Sequence, residues 1–320
     1  MPGASSACQK CSTSVHWNGL ETSASRVHTG GSPPAMSVQF AVLASGSRGN
    51  ATLVQAGGAG VLLDLGIGPR ALGERLRSVG SAWERISSAF LTHTHGDHVD
   101  NGTLSGMVRH GVSLYCHEGH RAALNRLSGF QALQDAGLVR SYDDRPFMTP
   151  TGLRVESLEL RHDGGPTFGF RVEVRSGRDR RRVALGYLAD TGSWSSGMAE
   201  ALADVDLLAV EFNHDVEMQR RSQRSPYLIA RNLGDWGHLS NEQGAEFLKA
   251  VHVRSAPGAL RHVVLLHLSE QCNMPGLALQ TAREAIRGTG RRVIIHAALQ
   301  APAHPNLQVE PSRRRTRHAG

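Results

Sequence analysis

Residues 92–98, Thr-His-Thr-His-Gly-Asp-His, concentrate the kinds of side chain that bind metal ions. Three imidazoles and one carboxylate fall within this stretch, directly after an apolar run that predicts a buried strand. A loop at a strand end can turn several side chains toward one point. His93 and His95 can bind one ion, and Asp97 and His98 can bind a second. Imidazole and carboxylate together favour Zn²⁺, with Mn²⁺ or iron as alternatives.

One loop cannot complete two metal sites, so further ligands are expected at other strand ends. Three side chains of the right types occupy such positions, each at or just after an apolar run: His162, Asp190 and His267. A single histidine at a strand end is more often structural than functional. In this order, and together with the first loop, the three predict a centre for two divalent metal ions.

Hydrophobic periodicity and turn residues indicate which elements must position these side chains. Strands are predicted at residues 38–44, 51–56, 60–65, 86–91, 112–116, 155–160, 168–175, 182–189, 205–211, 262–266 and 292–296. Helices are predicted at residues 69–79, 102–110, from 118, at 241–251 and at 276–286. Two strand-rich halves, each followed by helices, predict an α/β chain with two packed sheets and helices outside them.

The composition is that of a globular chain, with 40% hydrophobic and 20% charged residues. The formal net charge is +7, and the positive residues are nearly all arginine, which favours a polyanionic partner. A high-GC genome that encodes Arg in place of Lys would explain the same excess. Four scattered cysteines do not form a disulfide framework, and no secretory or membrane-spanning segment is recognisable. These features predict a cytoplasmic protein.

The two ends of the chain differ in composition from the middle. Residues 1–35 are rich in small and polar residues and predict a disordered extension. Residues 36–300 are expected to form the folded domain. Residues 301–320 contain several prolines and end in an arginine cluster, which predicts a basic disordered tail.

The motifs together resemble the metallo-β-lactamase superfamily over roughly residues 37–300. This resemblance implies a four-layer αββα fold of two mixed β-sheets flanked by helices. It also implies the assignment of ligands to the two ions. One ion is bound by His93, His95 and His162, the other by Asp97, His98 and His267, with Asp190 as the bridge. Asp64 matches an acidic motif of the superfamily, which implies that it accepts a hydrogen bond from a ligand histidine.

Four further segments resemble the YycJ-like (WalJ) exonuclease group, which is related to the ribonuclease Z branch. They are residues 43–50, 189–192, 211–215 and 237–241. The resemblance implies a 5′-to-3′ exonuclease on single-stranded DNA, in which a metal-bridging hydroxide is the nucleophile and Asp97 is essential. His238 is the expected proton donor and His214 the second choice; a purely structural role for His238 stays open. The remaining polar residues of these segments are expected to support the centre: Glu211, Asn213 and Asp215.

Contacts with nucleic acid are expected from basic residues near these motifs. Arg48 lies with Asn50 in a glycine-rich loop whose backbone N–H groups suit a phosphate. A basic stretch follows the Glu211 motif and contains Arg220, Arg221, Arg224 and Arg231. A tight hairpin turn would explain the glycines equally well, and a solvated helix face would explain the arginines.

Two other functions remain open on the residues alone. The first is a thioester or lactone hydrolase similar to glyoxalase II, which needs the same metals but no phosphate-binding surface. The second is a nucleic-acid-binding module without turnover. Hydrolysis of DNA would indicate the nuclease, and hydrolysis of thioesters with intact DNA would indicate the acyl hydrolase. Turnover of neither substrate would indicate the binding module. The oligomeric state is left open.

Overall fold

The computed structural model describes residues 37–175 and 182–311. The extension expected over residues 1–35 lies outside this part of the chain. Within it, the strands form two sheets. The first has the strand order β14-β1-β2-β3-β4-β5-β6. Its strands are β1 (Val38–Ala44), β2 (Ala51–Ala56), β3 (Ala59–Leu63), β4 (Ile86–Phe90), β5 (Ser113–His117), β6 (Val139–Tyr142) and β14 (Asn306–Val309).

The second sheet has the strand order β13-β12-β11-β10-β9-β8-β7. Its strands are β7 (Phe147–Met148), β8 (Leu153–Leu160), β9 (Thr167–Arg175), β10 (Arg182–Leu188), β11 (Leu207–Glu211), β12 (His262–Leu266) and β13 (Ile294–Ala297). Strands β8, β9 and β10 pair antiparallel, whereas β10 to β13 pair parallel. The strands β8, β10, β11 and β12 therefore all run in the same direction.

The described helices are α1 (Pro69–Ser78), α2 (Asn101–His110), α3 (Arg121–Leu124), α4 (Ser128–Asp135), α5 (Ser196–Ala201), α6 (Val216–Arg220), α7 (Pro226–Leu233), α8 (Asn241–Arg254) and α9 (Pro275–Ala285). Short 3₁₀ turns occur at Trp83–Arg85 and Glu118–His120. Helix α8 begins with a capping box, because the Ser240 hydroxyl accepts from the Gln243 N–H and the Gln243 side chain accepts from the Ser240 N–H. No helix in the described ranges is long and apolar enough to cross a membrane.

The apolar residues separate into three cores, which make the fold a four-layer αββα sandwich. Strand β1 is buried along its whole length, and its side chains alternate between two of these cores. Phe40 faces the core between the two sheets, whereas Leu43 faces the core beneath the helices of the first sheet. The third core lies beneath the helices of the second sheet and contains Phe247. The expected fold is confirmed.

The prediction that residues 301–320 form a disordered tail is wrong for part of this range. Residues 306–309 form β14, which pairs antiparallel with β1, and Val309 is fully buried in the core between the sheets. The Gln39 side-chain amide also donates to Asn306 Oδ1 at 2.9 Å. The reason is that this strand covers an edge of β1 whose N–H and C=O groups would otherwise lack partners. The arginine cluster at 313–315 lies outside the described residues.

Candidate metal centre

The histidine-rich segment forms the loop between β4 and α2, and backbone contacts hold it in place. The Asn50 N–H donates to the Asp97 carbonyl at 2.7 Å, and the Leu65 N–H donates to the His98 carbonyl at 2.8 Å. A Cβ at Gly66 would lie 1.7 Å from the Asp97 carbonyl oxygen, so only glycine fits there. The loop is therefore fixed by the ends of neighbouring strands.

The ligand-type atoms of His93, His95, His162 and Asp190 all lie within 4.8 Å of one another. His162 Nε2 is 3.3 Å from His95 Nδ1, and His93 Nε2 is 3.5 Å from Asp190 Oδ2. These residues are the ones expected to bind the first ion. The structure brings all of them together.

The ligand-type atoms of a second group also lie within 4.8 Å of one another. This group consists of Asp97, His98, Asp190 and His267. Asp190 Oδ2 lies 2.9 Å from His98 Nε2, and Asp190 Oδ1 lies 2.9 Å from His267 Nδ1. His267 Nε2 is 3.4 Å from Asp97 Oδ2. Asp190 belongs to both groups, which is the position expected of a bridging carboxylate.

The convergence follows from the sheet topology. Asp64 and the histidine-rich loop follow β3 and β4, which are adjacent parallel strands of the first sheet. His162, Asp190 and His267 follow β8, β10 and β12, which share one direction in the second sheet. The carboxyl ends of strands that share a direction meet at one edge, where side chains from distant parts of the sequence can converge.

The donor atoms fit divalent metal ions. Two ligand atoms, each about 2.0–2.2 Å from one ion, lie roughly 3–4 Å apart, and most distances within the two groups fall in this range. His93 Nε2 is buried without a hydrogen-bond partner among the described residues. An unpaired buried polar atom is costly, so its position in the cluster indicates that the cluster binds divalent cations.

Burial and charge set the protonation of the cluster. Burial lowers the pKa of His93, His95 and His162, which favours the neutral imidazole that binds metals. Burial alone would raise the pKa of Asp190, but His267 and His98 beside it hold that pKa well below its usual range. The first group therefore combines three neutral imidazoles with an ionised carboxylate. Burial lowers the pKa of His98, but Asp64 and Asp190 beside it outweigh burial and raise that pKa to about 10.

Asp64 is fully buried and orients the loop. Its Oδ2 atom lies 2.8 Å from His98 Nδ1, and its Oδ1 atom accepts from the Thr92 N–H and hydroxyl at 2.9 Å each. Because the Nδ1 side of His98 is held by Asp64, the Nε2 atom of the same ring faces Asp190. The structure places Asp64 in the contact that the resemblance implied.

The backbone is unusual at the same positions. Asp64, Asp190 and His267 have φ values of 63°, 54° and 55°, in the left-handed region that residues other than glycine rarely adopt. Such strain concentrates at functional sites, where surrounding contacts impose it. Three of the four non-glycine residues with positive φ in the described ranges belong to this centre.

His238 adjoins the cluster, with 3.7 Å between its Nδ1 atom and Asp190 Oδ1, and is oriented by Glu211. Its Nδ1 atom is 2.8 Å from Glu211 Oε1, and 11% of its side chain is exposed. The other Glu211 oxygen accepts from the N–H groups of Thr191 and Leu239. Burial raises the pKa of Glu211, but His238 and a hydrogen bond from His267 outweigh burial and lower it to about 2. Glu211 is thus an ionised acceptor for His238.

The other residues of the Glu211 motif have separate tasks. The Asn213 amide lies 3.1 Å from His267 Nδ1 and donates to the His267 carbonyl at 2.9 Å. Asp215 caps α6 by accepting from the Met218 N–H. His214 is buried, neither of its ring nitrogens has a hydrogen-bond partner in the described ranges, and burial lowers its pKa to about 4.

The predicted basic residues mostly pair within the protein. Arg48 pairs with Glu270, and both side chains are more than half exposed. On α6, Glu217 pairs with both Arg220 and Arg221. In the glycine-rich loop, Gly49 is required because a Cβ there would lie 2.4 Å from the Gly66 carbonyl oxygen, so loop packing explains this glycine.

Arg224 has a different environment from the arginines on α6. It donates to the side chains of Gln219, Ser269 and Gln271, two of which lie just after His267. Of the predicted basic residues in α6 and the loop after it, Arg224 is therefore the one tied to the metal centre.

Three residues contact metal ligands although the sequence did not predict that contact, and one of them, Asn50, was expected only in a phosphate-binding loop. Asn50 Nδ2 lies 2.9 Å from His98 Nε2, and Asp163 Oδ1 lies 3.6 Å from His162 Nε2. A Cβ at Gly164 would lie 2.4 Å from His93 Cδ2, so this glycine makes room for a ligand ring. The last two directly follow His162, and that adjacency was the available signal.

A shared carboxylate between two histidine-rich groups, on a four-layer αββα sandwich, defines a metal-dependent hydrolase of the metallo-β-lactamase fold. A family model described as the beta-lactamase superfamily domain matches residues 60–267, and the chain belongs to this superfamily. It is 30% identical over 245 residues to the exodeoxyribonuclease WalJ of Streptococcus pneumoniae, covering 76% of this chain and 86% of that protein. It is 28% identical to the exodeoxyribonuclease YycJ of Bacillus anthracis, covering 82% of this chain and 95% of that protein.

Solved structures agree on the fold. The metallo-β-lactamase fold protein YhfI from Bacillus subtilis superposes with a TM-score of 0.59 at 18% identity, covering 84% of this chain and 99% of that one. A diphosphatase from the PhnP family superposes with a TM-score of 0.57 at 15% identity, covering 86% and 99%. At these identities the likeness concerns the fold alone.

Proposed function

We propose that this chain is a dinuclear metal-dependent exonuclease that degrades single-stranded DNA from the 5′ end. The observation that carries the proposal is the His238–Glu211 pair beside the cluster. A phosphodiesterase needs a proton donor for the departing alkoxide, in addition to the groups that bind metal. Two relatives named exodeoxyribonucleases, each covered over most of its length, support the choice of DNA.

The proposed metal ligands are the two groups of residues described above. His93, His95 and His162 would hold one ion, Asp97, His98 and His267 the other, and Asp190 both. Zn²⁺ is the proposed metal, with Mn²⁺ as the alternative, because imidazoles outnumber carboxylates in the set. When bound, two such ions activate water and neutralise charge on the phosphate. The protein's own residues must then orient the substrate and supply protons.

His238 is the proposed proton donor. Glu211 accepts at Nδ1, which leaves Nε2 as the ring nitrogen available to a substrate oxygen. His214 is the weaker candidate, because burial favours its neutral form and its side chain has almost no access to solvent.

The nucleic-acid contacts remain proposals of unequal support. Arg224 is the best placed, since its partners follow His267 and its charge lies beside the centre. Arg48, Arg220 and Arg221 would have to exchange their present carboxylate partners for phosphate. The proposed location is the cytoplasm, where the buried, unpaired thiols of Cys116 and Cys272 would stay reduced.

The test is the degradation of single-stranded DNA labelled at its 5′ end by metal-loaded protein, with and without a chelator. Matched strands of RNA, duplex DNA and a panel of thioesters are assayed beside it. Early release of short labelled products from single-stranded DNA, abolished by the chelator, is the expected result. A ladder of gradually shortened strands that keep the 5′ label would show degradation from the 3′ end and reverse the polarity.

Two outcomes would reject the proposal. Intact DNA with rapid thioester turnover would move the protein to the acyl-hydrolase branch of the superfamily. Tight DNA binding by metal-loaded protein, without turnover of any ester, would make it a binding module.

A further inference from the structure

Two aromatic side chains stand out from all others by their exposure. Tyr227 is 80% exposed and Trp236 is 59% exposed, whereas every other Tyr, Trp or Phe in the described ranges is buried or half-buried. Single exposed apolar residues are common and need no explanation. These two differ because both are connected to the same residue of the metal centre.

Trp236 belongs to a loop that packs against the centre. The Trp236 carbonyl accepts from the Asp163 N–H at 3.2 Å, and the next carbonyl, that of Gly237, lies 2.8 Å from His162 Nδ1. A Cβ at Gly192 would lie 2.4 Å from the Gly237 nitrogen, so the loop also touches the segment after Asp190. The exposed indole is therefore carried by a backbone that is fixed on two sides of the cluster.

Tyr227 is connected to the same point through α7. Arg231 follows it by four residues, which places the two side chains on one face of the helix. Arg231 pairs with both carboxylate oxygens of Asp163, with 2.6 Å between Nη2 and Oδ1. Asp163 itself lies 3.8 Å from His95 Nε2. Arg231 therefore connects the helix face that carries Tyr227 to the metal cluster.

We propose that Tyr227 and Trp236 form a stacking platform for the bases of the single-stranded DNA that enters the metal centre. This inference rests on the proposed function and names how the substrate is held. Aromatic faces stack on every base, which suits an enzyme that must degrade strands of any sequence. The positive charge of Arg224, whose hydrogen-bond partners are neutral side chains, complements a phosphate backbone. A thioester substrate offers neither bases nor a polyanionic chain.

The test compares binding of a hydrolysis-resistant phosphorothioate oligomer of thymidine with an abasic oligomer of equal length and linkage. Fluorescence anisotropy is measured with metal-loaded wild type, Tyr227→Ala, Trp236→Ala and the double variant. Tyr227→Phe and Trp236→Phe keep the rings, and Met148→Ala removes a side chain of similar exposure, 58%, from the edge strand β7. Turnover of normal thymidine oligomers is measured at rising concentration.

We expect wild type to prefer the base-carrying oligomer, and each alanine variant to lose roughly 5- to 100-fold in its affinity. The double variant should bind the two oligomers equally, with kcat unchanged and KM raised. The phenylalanine and Met148 variants should resemble wild type. Equal binding of both oligomers by wild type, or a preference retained in the double variant, would overturn the platform.

The binding measurement separates this inference from the proposed function. Base-dependent binding that the double variant loses, without any DNA hydrolysis by wild type, would support the platform and reject the nuclease. The molecular mass of wild type and of the double variant is also compared by light scattering. A lower mass of the double variant, together with unaltered oligomer binding, would overturn the platform and make this surface an interface between copies of the chain.

Discussion

The Nδ1 atom of His238 lies 2.8 Å from Oε1 of Glu211, although 27 positions separate the two residues in the chain. Glu211 ends a buried strand and is itself fully buried, whereas His238 is partly open to solvent. A buried, ionised carboxylate that holds one nitrogen of an imidazole fixes the orientation of the ring. This pair places an imidazole that is not a proposed metal ligand beside the proposed bridge, with 3.7 Å between His238 Nδ1 and Asp190 Oδ1.

His238→Ala should lower kcat on DNA by about 10²- to 10⁴-fold, because the alkoxide then departs without a proton. The metal content should stay that of wild type. A thymidine 5′-phosphodiester with a p-nitrophenyl leaving group needs little protonation, so its turnover should fall far less. Activity of the variant on DNA should also rise at alkaline pH relative to neutral pH.

The control for this prediction is His214→Ala, which should leave the ratio of the two substrates' turnover as in wild type. Equal losses on both substrates in His238→Ala, or a parallel loss of metal, would show that His238 has a structural role.

Asp97→Ala should abolish hydrolysis and lower the metal content while the circular dichroism spectrum stays native. The carboxylate lies 3.4 Å from His267 and is a proposed ligand of the second ion only, so the fold does not depend on it. Asp144→Ala, which removes an exposed carboxylate far along the chain, should behave as wild type. Hydrolysis that persists in metal-stripped buffer would contradict the mechanism.

Asp64→Asn should weaken metal binding by about 10- to 100-fold, because the amide no longer offers two acceptor oxygens to His98 and Thr92. Competition with a chelator of known affinity measures the change. The matched variant is Asp100→Asn, since asparagine still caps α2. An unaltered affinity in Asp64→Asn would mean that His98 is oriented by its other neighbours.

Gly164→Ala should displace the His93 ring and lower metal affinity at least about tenfold, since a Cβ there would approach Cδ2 to 2.4 Å. Gly96→Ala is the control inside the histidine-rich segment, because nothing lies within 4 Å of a Cβ at that position. It should retain both metal and activity. The opposite ranking of the two variants, measured as metal retained after dialysis against a chelator, would refute this geometry.

Burial lowers the pKa of His120 to about 4, and its Nε2 atom lies 2.8 Å from the Pro166 carbonyl oxygen. The folded state thus releases a proton that the unfolded state binds below its pKa of 6.5. The contribution to stability is complete above pH 6.5 and is lost as the pH falls toward 4. The loss amounts to at most about 1.4 kcal/mol per pH unit.

His120→Gln keeps a donor for Pro166 but cannot titrate. Its free energy of unfolding, from urea titrations between pH 4 and 7, should therefore depend less steeply on pH than that of wild type. The metal ligands titrate in both proteins and cancel in the difference. Identical slopes would show that His120 does not contribute.

The cluster of ligand-type residues and most of the strands that position it are recognisable from the sequence alone. Ligand-type residues at strand ends are recognisable because buried strands are apolar and the polar residues that follow them are not. The strands Val38–Ala44 and His262–Leu266 were predicted with the bounds that the structure has. Local patterns sufficed here because each pattern reports on its own segment.

Which segments of the chain meet depends on tertiary packing. The strand Asn306–Val309 lies in a stretch whose prolines and charges indicate disorder, and it folds because β1 needs a partner along its edge. Contacts between distant parts of the chain pair His238 with Glu211. Such contacts also connect Tyr227 and Trp236 to Asp163. Side-chain type and spacing do not predict such contacts, because the packing of complete helices and strands creates them.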